Sequence, residues 1–213
     1  TCWFRTACDV QVCCKWKRSN SSLNKTNINR VGIFSGSFDP PHDGHVHISK
    51  IFLKKLNLKK LIWSVSKKNP LLKKKYFYTH KERVILSRKI SNNIKKIVVS
   101  NYDKKYSYQL INLIKKKHKN SQVFFLIGSD NVKYFHKWKR FLQIINICTL
   151  VVINRPGYSK EFKRSFFFKN YSKFMKRTFQ NPKIIPQKTW IYISDRGKKI
   201  SSSNIKNRLY KSK

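Results

Sequence analysis

Short apolar runs alternate with amphipathic stretches along most of this chain, and that alternation limits its folds more than any other feature. Val31–Phe34 (VGIF), Leu61–Val65 (LIWSV), Ile97–Val99, Val123–Ile127 (VFFLI), Leu150–Ile153 and Trp190–Ile193 (WIYI) are continuous and partly β-branched. Such runs suit strands covered on both faces. Between them apolar residues recur at helical spacing. Val46, Ile48, Ile51, Phe52 and Leu56 fall near one helical face. Lys81–Ile90, Ser107–Lys117 and Asp130–Ile145 read as further helices, the last in one piece or two. A helix over 160–176 and another over Ser201–Tyr210 complete the expectation. Strands alternating with helices predict an α/β chain with a Rossmann-like, doubly wound parallel sheet in a single domain. The 213 residues, 40% of them apolar, suffice for one such core. Order is expected over residues 31–213, preceded by a basic, Cys-containing, flexible arm at residues 1–30.

Charge is the other extreme feature. Lys and Arg number 49 against 8 Asp and Glu, a formal net charge of +41. Attraction to polyanions follows: nucleic acid, phosphate-rich substrates or an anionic surface. A plainer reading is compositional drift that leaves lysines solvated on the surface. The lysines are spread along the whole chain and no nucleic-acid-binding module is recognisable, so a specific nucleic-acid partner is not expected. No run approaches the ~18–20 apolar residues of a membrane span. Cys2, Cys8, Cys13 and Cys14 crowd the first residues, with Cys148 far away. Their spacing fits no common zinc pattern, so no metal site built from protein ligands is expected. The chain starts at Thr1 without a Met. The cytoplasm is the expected compartment, with organelle targeting left open.

Open α/β sheets bind ligands beyond the carboxyl ends of their strands. The turn after the first strand reads SGSFDPPHDGH, Ser35–His45. Gly36, between Ser35 and Ser37, lets the backbone approach a ligand. Pro40 and Pro41 stiffen the turn. His42 and His45 then fall in the first turn of a helix, whose free N–H groups and dipole favour an anion. Two imidazoles there add donors for the same anion, which suits a phosphate chain. A metal pair is the weaker reading, because no third ligand lies near.

This turn resembles the (T/S)-F-D-x-x-H-x-G-H signature of the HIGH-type nucleotidyltransferases, and more narrowly that of the nicotinate/nicotinamide mononucleotide adenylyltransferases. Other segments resemble the same family. IGSDNVKYFHKW, Ile127–Trp138, is similar to its G-x-D…W block. ISSSNIKNR, 200–208, is similar to its I-S-S-T-x-I-R phosphate motif. Tyr106-Ser107 is similar to its Tyr–Thr/Ser pair, and Lys73 and Arg155 are fainter echoes. The resemblance spans about residues 31–210. It departs at Lys206, where the family usually has Arg, and at Gln109, where it usually has Asp.

The resemblance implies an enzyme of NAD biosynthesis that transfers AMP from ATP to nicotinate or nicotinamide mononucleotide, releasing pyrophosphate by in-line attack without a covalent intermediate. It implies His42 and His45 on the triphosphate and Ser35, Gly36, Ser37 and Phe38 around the joining phosphates. Ser202, Ser203 and Lys206 would hold the β and γ phosphates, and Asp130 the ribose or a phosphate-bound metal. Tyr106 and Ser107 would offer backbone N–H groups to the ring substituent, and Trp138 would stack on the pyridine; Trp138 as a plain core aromatic is the alternative. Mg²⁺ would arrive with ATP, and a homo-oligomer is compatible. The alternatives are a phosphopantetheine adenylyltransferase or cytidylyltransferase of the same superfamily and, in a different class, a basic nucleic-acid-binding protein.

Overall fold

A computed structural model describes residues 29–68, 76–102, 104–154, 158–177, 188–195 and 205. The expected arm lies almost wholly outside these residues, as do Lys73, Arg155, Ser202, Ser203, Lys206 and nearly all of the expected last helix.

The apolar runs become strands of one sheet. They are β1 (Asn29–Gly36), β2 (Lys60–Val65), β3 (Ile97–Ser100), β4 (Ser121–Gly128), β5 (Thr149–Ile153), β6 (Met175–Lys176) and β7 (Trp190–Ile193). The order is β3-β2-β1-β4-β5-β7-β6, and every pairing is parallel. β1 starts at Asn29, two residues inside the expected arm, because Asn29 and Arg30 pair with Ser121 and Gln122. The chain winds outward from β1 through β2 to β3, then crosses back to β4 on the other side. That reversal opens a crevice above the carboxyl ends of β1 and β4, the place where such sheets take ligands.

Helices cover both faces. α1 (Asp43–Lys55) and α2 (His80–Ser91) lie on one, where Phe52, Leu56 and Val84 pack with Phe38, Trp63, Phe124 and Leu126. α3 (Ser107–Lys117) and α5 (Phe141–Ile147) lie on the other, where Leu110, Ile111 and Ile144 pack with Ile33, Phe125 and Ile127. The alternation of β4 between the clusters, Phe124 and Leu126 to one and Phe125 and Ile127 to the other, is the period of two of a strand buried on both sides. Gly32 is required by close approach. A Cβ there would stand 2.6 Å from Leu58 Cδ1 and 2.8 Å from Leu61 Cδ1.

One helical expectation is resolved and another needs correction. The 130–145 stretch, expected in one piece or two, is α4 (Ser129–Val132), a 3-10 turn (Phe135–Lys137) and α5; the helical path is left at Trp138, whose backbone is extended, and at Arg140, with φ 56°. The expected 160–176 helix is α6 (Ser159–Arg164), α7 (Phe166–Tyr171), a 3-10 turn (Ser172–Phe174) and the edge strand β6. Ser165 makes the break: its backbone is extended, and its Oγ accepts the Phe168 N–H to cap α7. Among the described residues no helix is long and apolar enough to cross a membrane.

Candidate active site

β1 ends in a turn whose backbone is held from several sides. The Gly36 carbonyl accepts from both the N–H and the hydroxyl of Ser66, at 3.0 and 3.2 Å. Phe38 takes φ 48°, the left-handed region that a bulky residue enters only under constraint. Its ring is buried and stacked on Trp63, centroids 4.9 Å apart, which supplies that constraint. Asp39 is buried and accepts the N–H groups of Phe77 and Tyr78 at 2.9 and 3.0 Å, fastening the turn to the segment that enters α2.

α1 then begins on two histidines. His42 is the N-cap, and its Nδ1 accepts the Gly44 N–H at 3.1 Å. The His42 N–H donates back to Nδ1 of His45 at 3.1 Å, a reciprocal capping box built from imidazoles. The rings stand 3.9 Å apart, and both residues are buried. Because each Nδ1 is an acceptor, each neutral ring carries its proton on Nε2. The site thus has two imidazoles in one fixed tautomer with both Nε2–H groups as donors. Their second role, closing the helix, locks them.

A cleft of about 640 Å³ opens above the carboxyl ends of β1, β2 and β4. Ser35, Gly36 and Ser37 line it from the β1 turn, Tyr106 and Ser107 from the start of α3, and Trp138 from the turn before α5. Trp138 both packs against the core and reaches the cleft. It is half-buried, set against Phe125 and Phe135 with centroids at 6.2 and 5.3 Å, and it still lines the cleft. His42, His45, Phe38 and Asp130 are not among the lining residues. The histidines stand behind the β1 turn on the α1 side, with His45 4.9 Å from the Phe38 ring. Asp130 sits in α4 between the lining residues Gly128 and Asn131.

One expectation is altered by α3. The Tyr106 N–H is taken by Gln109 Oε1 at 3.2 Å, another capping box, and so does not face a ligand. Ser107 and Tyr108, the first residues of α3, keep amides with no acceptor inside the helix. Gln109, a departure from the family pattern, closes this box through its amide oxygen.

The sequence did not single out the cations around the cleft. Lys68, Lys104, Lys105, Lys137 and Lys139 line it, and no Asp or Glu stands among the described lining residues. Lys105 and Lys139 lie over the Tyr106 ring at 5.4 and 4.9 Å, and Arg140 lies over Tyr108 at 5.1 Å. These contacts tie the Trp138–Arg140 turn to the start of α3. The five lysines were hidden among 49 basic residues; the signal that could have found them was their placement in the turns after β2 and β3 and on either side of Trp138.

Residues 33–208 match the cytidylyltransferase-like family. The chain is 35% identical over 159 residues to a probable nicotinate-nucleotide adenylyltransferase of Pelagibacter ubique, covering 73% of this chain and 87% of that protein. The chain belongs to the nicotinate-nucleotide adenylyltransferase family. A second member, from Rhizobium etli, is 30% identical over 184 residues, covering 83% of this chain and 95% of its own. The fold is also similar to that of the Plasmodium falciparum nicotinic acid mononucleotide adenylyltransferase solved with NaAD, with a TM-score of 0.61, 17% identity, and coverage of 85% of this chain and 84% of that one. Membership in this family and the place of the cleft, at the reversal of strand order, agree with each other.

Proposed function

We propose that the protein joins AMP from ATP to nicotinate mononucleotide, giving the dinucleotide and pyrophosphate. The observation that carries this reading is the pair of helix starts at one end of the sheet. α1 is capped by two imidazoles fixed as Nε2–H donors. α3 brings the first-turn amide of Ser107 to a lysine-lined cleft beside Trp138. A polyphosphate suits the first, and a flat ring bearing a negative group suits the second.

The 5′-phosphate oxygen of the mononucleotide attacks the α-phosphorus of ATP. The new O–P bond forms as the α–β bridging P–O bond breaks, and that electron pair leaves with pyrophosphate. The nucleophile is already ionised, so no general base is required. Catalysis rests on alignment and on donors aimed at the charge that develops. His45 serves the α-phosphate and His42 the leaving phosphates. Ser35, Gly36, Ser37 and Phe38 bring backbone to the joining phosphates. Ser202, Ser203 and Lys206, with Lys73 and Arg155, complete the phosphate contacts, and Asp130 serves the ribose or phosphate-bound metal. ATP enters as its Mg²⁺ complex, a substrate rather than a resident metal. The cations and amides of the cleft favour the carboxylate of nicotinate over the neutral amide.

The test is a panel of nicotinate mononucleotide, phosphopantetheine and phosphocholine, each with ATP or CTP, scored for pyrophosphate release. Turnover is expected with the mononucleotide and ATP. Turnover confined to another pair would overturn the reading.

A further inference from the structure

Arg83, on the first turns of α2, is only 1% exposed. Its guanidinium donates to main-chain carbonyls: Ser37 at 2.6 Å, Ser66 at 2.8 Å, Lys67 at 3.2 Å and Tyr78 at 3.2 Å. The Tyr76 ring lies under it at 4.2 Å. The carbonyls come from the turns after two neighbouring strands and from the entry to α2. Ser37 and Ser66 both line the cleft. A buried fork of this kind fixes two loops at once, which a single ammonium does not do.

The bonds also set direction. In a trans peptide the carbonyl and the following N–H point opposite ways, and among the described peptides only Asp39–Pro40 is cis. The Gly36 carbonyl faces Ser66 beside β2, so the Ser37 N–H faces away, toward β4 and the crevice. The Ser37 carbonyl faces Arg83, so the Phe38 N–H points away from Arg83. The turn is strained at Phe38, and the Arg83 bond on one side with the Trp63 stack on the other keeps it there.

We infer that Arg83 is a positioning residue for the transfer: by taking the carbonyls of Ser37, Ser66 and Lys67, it aims the Phe38 amide at the reacting phosphates and sets where the turn delivers His42. The inference rests on the adenylyl-transfer reading above. It assigns Arg83 to alignment of phosphates and not to binding of the pyridine ring, whose site lies at α3 and Trp138.

Arg83→Ala leaves buried carbonyls unpaired and risks misfolding, so Arg83→Lys is the working variant. In the full chain, kcat is expected to fall about 100-fold for R83K, the cost of a small misplacement of reacting groups. KM for nicotinate mononucleotide should stay within about threefold. In chain selectively labelled with ¹⁵N-Phe, the Phe38 amide resonance should move on addition of a non-hydrolysable Mg–ATP analogue, and that response should vanish in R83K. A folded R83K with kcat within about threefold of wild type would overturn the inference. So would a loss of kcat no greater than the loss of folded fraction. If the wild type forms no dinucleotide, the functional reading fails and the Phe38 response alone decides. A response lost in R83K upholds the role of Arg83; a response unchanged in R83K, or absent from wild type, refutes it.

Discussion

Replacing His45 by Asn separates the two tasks that the structure gives this ring. Nδ1 of His45 accepts the His42 N–H at 3.1 Å and closes the capping box of α1. Nε2–H is the donor assigned to phosphate. An Asn carbonyl oxygen stands near the place of Nδ1 and can accept the same N–H, but nothing in Asn reaches as far as Nε2. His45→Ala loses both. The His42 N–H it orphans belongs to a residue only 5% exposed, and an unpaired buried donor costs about 1–3 kcal/mol. His45→Ala should therefore lose about that much stability in urea unfolding, and His45→Asn less than about 1 kcal/mol. Both should lose turnover alike, by about 100- to 1,000-fold, the effect of removing one donor from a site of developing negative charge. The assay is pyrophosphate release at saturating ATP and nicotinate mononucleotide, beside urea melts of the same preparations. A His45→Asn protein with near-normal turnover would show that Nε2 does no chemistry. A His45→Asn protein as destabilised as His45→Ala would show that the capping account is wrong.

Three further outcomes follow from the same geometry. Trp138→Ala should raise KM for the mononucleotide about tenfold, as expected for one lost base stack, while KM for ATP holds; the reverse pattern in steady-state kinetics would remove Trp138 from the ring site. Gly32→Ala should destabilise by about 1–3 kcal/mol in denaturant melts, because its methyl would press on the Leu58 and Leu61 Cδ1 atoms. Cys148 is half-buried, its thiol donates to the Ile144 carbonyl at 3.2 Å, and desolvation pushes its pKa up to about 12 from an ordinary value of 9.0. The folded state keeps this thiol neutral where the unfolded chain ionises, so its contribution to stability is whole below pH 9.0 and is lost as pH rises toward about 12. Melts of wild type and Cys148→Ala should converge across that range.

The strands were legible because parallel strands buried on both faces must be apolar throughout, and VFFLI and LVVI announce themselves. The place of the break near Arg140, and the break at Ser165 altogether, were not legible. An Arg at positive φ has no sequence signature, and the Phe-rich run around Ser165 reads as one helix until the Ser cap is seen. The histidine turn was legible as a helix start, but its locked tautomers depend on which atoms Nδ1 meets. Tyr106 shows the same limit: its N–H was expected at the ligand, yet Gln109 takes it. Arg83 was hidden for a different reason. In a chain with 49 basic residues one more Arg carries no signal, and only its burial against main-chain carbonyls of three segments sets it apart.

The proposed division of labour puts phosphates at α1 and a negatively charged ring at α3. Direct competition tests it. Equal nicotinate and nicotinamide mononucleotides are offered with Mg–ATP, and the two dinucleotides are counted by mass spectrometry. A preference for nicotinate of about tenfold or more is predicted, because one charge-assisted hydrogen bond is worth that ratio. Equal use of the two, or a preference for the amide, would contradict the role given to the Ser107 amide and to the lysines around the cleft.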